Sequence, residues 1–201
     1  MNDAVNHLER PDFRAIAGWV KPESFVLDLG CGDGTLLAHL QQHRHVHGYG
    51  VDVDDASVLA CVTHGVNVIQ SDLERGLAGF DEGQFDYVIL SQTLQAVRHT
   101  EEILLEMLRV GREAIVTFPN FGYWPQRLQV LMEGRMPVSK SLPYQWYDTP
   151  NVHLFTIDDF EMLCRERDVR ILERLVLHEG RPVTFAPNLR GSLAVYRLER
   201  G

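Results

Sequence analysis

The sequence predicts an α/β fold, a mostly parallel sheet covered by helices on both faces, and three observations carry that expectation. Short apolar runs alternate with helical spacings through residue 118, as in parallel strands joined by helical crossovers. Two of those runs, Phe25-Val26-Leu27-Asp28-Leu29 and Ala114-Ile115-Val116-Thr117-Phe118, are almost continuously apolar, which suits strands buried on both faces. The first run stops at a cluster of glycines and gives way to a helical stretch, the arrangement that places a ligand crevice at the carboxyl ends of parallel strands. At 201 residues, 45% hydrophobic and 23% charged, residues 1–201 are expected to form a single domain.

Pro11 suits the first turn of a helix to about Val20, which Lys21-Pro22-Glu23-Ser24 ends. After the strand at Phe25–Leu29, Asp33 to about His43 reads as a helix with Leu36, Leu37 and Leu40 on its apolar side. A strand over Val46–Val53 follows, and Asp54-Asp55-Ala56-Ser57 caps a helix carrying Val58, Leu59 and Val62. Val66–Ile69 and Phe85–Leu90 read as strands, and Ile103, Leu104, Met107 and Leu108 define a helix over Thr100–Val110. Beyond an irregular region, a helix at Asp158–Arg167 precedes strands at Arg170–Leu177 and Ser192–Leu198.

Acidic residues number 28 and basic ones 19, a net charge of −9, which argues against nucleic-acid or anionic-membrane partners. Met1-Asn2-Asp3 lacks the basic start and apolar run of a secretory signal. No uncharged apolar stretch approaches the ~18 residues that cross a bilayer. Cys31, Cys61 and Cys164 are too few and too scattered for a disulfide framework or a CxxC zinc site. A cytoplasmic protein is expected.

The strongest site signal is Asp28-Leu29-Gly30-Cys31-Gly32-Asp33-Gly34. Gly30, Gly32 and Gly34 let the backbone turn tightly and approach a ligand. The pattern GxGxG is not the dinucleotide GxGxxG, and its carboxylates add information. A pyrophosphate there would meet Asp28 and Asp33, each like-charge contact costing roughly 1–4 kcal/mol at intermediate dielectric. A ligand carrying an ammonium and a sulfonium would be attracted, which favours S-adenosylmethionine over a nicotinamide dinucleotide. Asp52, ending the second strand, is placed to accept both ribose hydroxyls, and Asp72, after the third, to meet an adenine amino group. Val53 and Leu73 supply apolar walls, Cys31 fills the loop, and Ser91-Gln92 closes the methionine end. Taken singly, Asp52 and Asp72 also read as a helix cap or surface turn, and Asp28 as an acceptor for loop amides.

These strings, with Gly50-Val51-Asp52, Ser71-Asp72-Leu73 and Phe85-Asp86-Tyr87-Val88, resemble the successive motifs of the class I S-adenosylmethionine-dependent methyltransferases over about residues 24–118. That resemblance implies a Rossmann-like three-layer sandwich with a seven-stranded, mostly parallel sheet and an antiparallel edge strand. A narrower one covers nearly the whole chain. Gly65-Val66-Asn67-Val68-Ile69-Gln70, Leu90-Ser91-Gln92-Thr93-Leu94-Gln95-Ala96-Val97, Phe118-Pro119-Asn120-Phe121-Gly122, Gly134-Arg135-Met136-Pro137-Val138-Ser139-Lys140 and Trp146-Tyr147-Asp148-Thr149-Pro150-Asn151 resemble the MetW family of methionine biosynthesis. It implies an accessory role beside homoserine O-acyltransferase, with S-adenosylmethionine or S-adenosylhomocysteine as ligand and no methyl acceptor. The competing class is an autonomous methyltransferase on a small molecule.

An excursion at about 119–152 interrupts the α/β pattern. Residues 118–155 hold eight of the aromatics, five of the nine prolines and a short helix at Leu128, Leu131 and Met132. Tyr123, Trp124, Arg127, Tyr144, Trp146 and Tyr147 form a docking surface, a lid over the crevice or a cap over the sheet. Methyl transfer from a sulfonium demands alignment, and a base only if the acceptor must lose a proton. His99, His153 and Tyr147 are the nearest candidates for such a base, but each reads better as a capping or core-edge polar residue, so no catalytic residue is assigned. His43, His45 and His47 lie at alternate positions and read as a solvated loop and strand start rather than a zinc site.

Overall fold

The computed structural model describes residues 10–139 and 142–201; Met1-Asn2-Asp3 and Lys140 lie outside them. The chain runs α1 (Pro11–Trp19), β1 (Phe25–Leu29), α2 (Thr35–Arg44), β2 (His47–Asp52), α3 (Asp55–Thr63), β3 (Val68–Gln70), β4 (Phe85–Ser91) and α4 (Thr100–Val110). It continues through β5 (Gly111–Pro119), α5 (Trp124–Glu133), α6 (Ile157–Glu166), β6 (Val169–His178), β7 (Arg181–Pro182), α7 (Pro187–Arg190) and β8 (Leu193–Arg200).

One sheet holds all eight strands in the order β3-β2-β1-β4-β5-β8-β6-β7. β1 to β5 pair in parallel, and β8 runs antiparallel between β5 and β6. The expected mostly parallel sheet with an antiparallel edge is present, with eight strands among the described residues rather than seven. The extra strand is β7, formed where the chain doubles back through Glu179 and Gly180, both at positive φ (47° and 76°), and pairs antiparallel with β6. Pro182 offers no N–H to a further strand, which keeps this edge short.

Alternation along the central strands divides the core. Tyr87, Ile89, Ile115 and Val195 join the side covered by α1 to α3, where Phe13, Ile16, Leu36, Leu37, Leu40 and Cys61 are buried. Val88, Leu90, Ala114, Val116, Ala194 and Tyr196 join the side covered by α4 and α6. That split explains the nearly continuous apolar runs: residues on both faces of the central strands have a helix layer to meet. On the second side an aromatic cluster forms around Phe118, whose ring centroid lies 4.7 Å from Phe155 and 4.8 Å from Phe160, with Phe160 4.9 Å from Tyr196.

Local chemistry sets the boundaries. Asp54 caps α3 by accepting the Ser57 N–H at 2.9 Å, and Thr156 and Asp159 form a reciprocal capping box at α6. α2 starts at Thr35 rather than Asp33, because Gly34 precedes it in a left-handed conformation; Asp33 instead accepts the Thr35 N–H at 3.0 Å. β3 begins at Val68 rather than Val66, since the Val66 N–H is drawn back to the Cys61 carbonyl at 2.9 Å. The helix in the excursion spans ten residues, opened by Pro125 and closed by left-handed Gly134. His43 lies in α2, His45 is its left-handed cap and His47 opens β2, so the three do not share a strand face.

Phe160 touches two other rings, those of Phe118 and Tyr196, in a fully buried site. Phe160→Ala is therefore expected to lower unfolding stability by about 3–5 kcal/mol, read from the midpoint of a urea titration.

Candidate functional site

Strand order reverses between β1 and β4: the chain builds β2 and β3 on one side of β1, then β4 and β5 on the other. Such a reversal opens a crevice at the strand carboxyl ends. Leu29 pairs with Val51 of β2 and Leu90 of β4, which levels those ends. The structure thereby brings Asp28, the glycine turn, Asp52, Asp72, Ser91 and Gln92 to one edge of the sheet.

Gly30, Gly32 and Gly34 all have positive φ (63°, 57° and 76°), where a side chain is strained. At Gly30 a Cβ would come within 2.7 Å of Thr93 Oγ1, and at Gly34 within 2.9 Å of Cys61 Sγ. At Gly32 it would meet nothing within 4 Å; this turn of the loop faces open space. The outer glycines thus serve packing, and the middle one leaves room for a ligand.

Each carboxylate has a distinct environment. Asp52 Oδ2 accepts the Gly32 N–H at 2.8 Å and its Oδ1 the Asp54 N–H at 3.0 Å, so it anchors the glycine turn to β2. Each oxygen keeps a further lone pair for a hydroxyl. Asp72 Oδ1 accepts the Glu74 N–H at 3.0 Å, capping a single 3-10 turn at Leu73–Arg75. Val53 is largely exposed beside them, and Leu73 packs partly against the core. Asp28 is only 2% exposed, and its Oδ1 has no hydrogen-bond partner. Burial, opposed by the charge of Arg10 and assisted by that of Asp52, raises its pKa from the ordinary 3.8 to about 7. A buried acceptor without a donor is costly, and an ammonium group would relieve it.

Cys31 fills space behind the turn. Its Sγ lies 3.7 Å from Cys61 Sγ, in room that a Cβ on Gly50 would occupy, 2.5 Å from that sulfur. Burial and the charge of Asp28 push its thiol pKa well up, which disfavours the reactive thiolate.

Three contributors escape a reading of the sequence. Asp12, fully buried on α1, accepts hydrogen bonds through Oδ2 from Ser91 Oγ (2.9 Å), Gln92 Nε2 (3.1 Å) and Thr117 Oγ1 (3.1 Å). Arg10 completes the set through a bidentate pair with Asp12. Burial drives the Asp12 pKa upward, but these donors and the guanidinium charge outweigh it and hold it below the ordinary value. Their partners lie 79 to 105 residues away, and an aspartate after a proline at a helix start suggests only a cap.

The excursion is anchored at its base and exposed at its tip. The Val152 and His153 N–H groups donate to the Gln95 carbonyl at 2.9 and 3.0 Å, Arg127 Nε donates to the Gly122 carbonyl, and Tyr123 Oη lies 3.3 Å from His178 Nε2. Trp146 and Tyr147 pack edge to face at 5.7 Å while 73% and 70% exposed; Trp124 is 49% and Tyr144 50% exposed. At that exposure these four side chains are not buried beneath a cap over the sheet. His99 and His153 share a separate 570 Å³ cavity with Arg98, Phe155 and Phe160. His153 Nε2 meets the Arg98 carbonyl at 3.0 Å, and His99 lies 3.8–4.0 Å from Glu102 and Glu74. Tyr147 is not a wall of that cavity, and none of the glycine-turn residues lines it.

Known proteins agree with this architecture. The chain is 39% identical over 202 residues to the "Bifunctional methionine biosynthesis protein MetXA/MetW" of Rhodopirellula baltica, an alignment covering 94% of this chain and 32% of that protein's length. A TehB-like SAM-dependent methyltransferase structure from Corynebacterium glutamicum superposes with a TM-score of 0.66 at 13% identity, covering 98% of this chain and 91% of that one. A candidate Zn-dependent alcohol dehydrogenase from Rhodobacter sphaeroides reaches 0.69 at 15% identity, covering 98% and 91%. At such identities the likeness is one of fold, and fold alone does not select a chemistry. The family model "Methionine biosynthesis protein MetW" matches residues 10–198, and with that span and a relative at 39% identity the chain belongs to the MetW family of methionine biosynthesis.

Proposed function

We propose that this chain binds S-adenosylmethionine or S-adenosylhomocysteine and acts as an accessory subunit of a homoserine O-acyltransferase, within a single domain over residues 1–201. The observation that carries the ligand is the unpartnered, buried Oδ1 of Asp28 beside the open side of Gly32. Asp28 receives the ligand's ammonium, Gly30, Cys31, Gly32 and Gly34 form the turn beneath it, and Asp52 accepts ribose hydroxyls. Asp72 faces the adenine edge, Val53 and Leu73 its faces, and Ser91 and Gln92 frame the amino-acid end. When bound, a sulfonium ligand supplies a transferable methyl group.

Support for the accessory role comes from the Rhodopirellula relative, whose MetXA part, taken as the acyltransferase, and MetW part share one polypeptide. The exposed Trp124, Tyr144, Trp146 and Tyr147, with the half-buried Tyr123 and the exposed Arg127, are the residue types that anchor protein interfaces and form the docking surface. No helix among the described residues is long and apolar enough to cross a membrane. A second function, autonomous methyl transfer to a small molecule, follows from the transferable methyl group of the proposed sulfonium ligand. Steady incorporation of labelled methyl into a cell-extract acceptor by the isolated chain would establish that function in place of the accessory one.

Two outcomes are expected. Trp124→Ala and Trp146→Ala should each weaken co-purification with the acyltransferase, by about 2 kcal/mol or roughly 30-fold in affinity for an anchoring residue, without shifting the melting temperature. Unchanged affinity in both would remove the docking surface. The second concerns pH. A native pKa of about 7 leaves Asp28 roughly 10% ionised near pH 6 and 90% near pH 8. If only the carboxylate binds the ammonium, affinity should rise about tenfold over that interval, measured by calorimetry, and Asp28→Asn should abolish the rise. For the free protein the sign reverses. The native state keeps a proton that the unfolded chain releases, so the contribution of Asp28 to stability declines from about pH 4 to about pH 7.

A further inference from the structure

The amino-acid end of the crevice is organised around a residue outside the glycine turn. The Ser91 hydroxyl and one N–H of the Gln92 carboxamide are spent on Asp12 Oδ2. The group presented there is Arg10. Its Nη2 donates to Ser91 Oγ at 2.7 Å and to Asp12 Oδ2 at 2.6 Å, and its Nε to Asp12 Oδ1 at 3.2 Å. The guanidinium carbon stands 3.9 Å from the centre of the Phe13 ring. These contacts fix one edge of the fork, and no hydrogen bond among the described residues engages Nη1. The side chain remains 42% exposed although its partner Asp12 is fully buried, and its charge reaches Asp28.

We propose that Arg10 recognises the α-carboxylate of the adenosyl ligand's amino-acid end, with Asp12 as the residue that positions it. This rests on the adenosyl ligand proposed above. The amino-acid end carries one cationic and one anionic group. Asp28 offers the former an unpaired acceptor, and Arg10 offers the latter a preorganised donor, so the pair matches a zwitterion at both poles. A planar guanidinium with one edge occupied still presents directed donors to a carboxylate, and its fixed geometry limits the entropy lost on binding.

Calorimetry on the full chain tests this with three ligands: S-adenosylmethionine, its decarboxylated analogue lacking only the carboxylate, and 5′-methylthioadenosine lacking the whole amino-acid end. The native protein is expected to favour S-adenosylmethionine over the decarboxylated analogue by about tenfold or more, the worth of a charge-assisted hydrogen bond. Arg10→Gln should collapse that ratio toward one and leave 5′-methylthioadenosine affinity within about twofold. A ratio that survives in Arg10→Gln overturns the assignment, as does an equal loss of all three ligands, which marks a purely structural role. Should Arg10→Gln fail to fold, Arg10→Lys decides: a ratio reduced several-fold supports the assignment, and an unchanged one overturns it. If the native chain binds none of the three, the adenosyl ligand itself is wrong and the carboxylate contact falls with it.

Discussion

The turn between β1 and α2 is the constraint around which the site is arranged. Three glycines in left-handed conformations bring the chain from a buried strand to a helix within five residues. Thr93, Cys61 and Asp52 hold that turn from three directions. Packing on two sides and a carboxylate on the third leave its middle residue facing open space. The surrounding carboxylates then give that space its electrostatic character, and a dinucleotide phosphate would meet the wrong sign. The sign of that charge opposes a nicotinamide dinucleotide, a distinction that the fold cannot draw, since a candidate dehydrogenase superposes as well as a methyltransferase does.

Much of the fold was legible because short-range chemistry and the global layers agree. Pro11 opens α1, Asp54 caps α3, and the apolar runs at Phe25, Phe85 and Ala114 all became central strands. The shifts at α2 and β3 come from single backbone choices, Gly34 and the recapture of the Val66 N–H, which hydrophobic spacing does not encode. β7 and α7 are too short, at two and four residues, to leave a period.

The site divides in the same way. Asp28, Asp52 and Asp72 could be placed because each follows an apolar run and so sits at a strand end. The turn-capping reading of Asp72 was also legible and holds, whereas the bond from the Gly32 amide to Asp52 was not, because it joins two elements 20 residues apart. Arg10, Asp12 and Thr117 were invisible because their chemistry exists only across the sheet. The contact of Cys31 with Cys61 likewise depends on Gly50 yielding its side-chain volume, a relation among three elements.

The position of β8 has a consequence for biosynthesis. It is the last strand of the sheet to leave the ribosome, yet it lies between β5 and β6 and pairs with both. Until it arrives, two strands of nine and ten residues present unsatisfied amides and carbonyls along the edges that it will fill. A nascent chain interrupted before Leu193 therefore exposes two templates for intermolecular pairing, and stalled or truncated translation products become the species most prone to aggregate and most in need of chaperone protection.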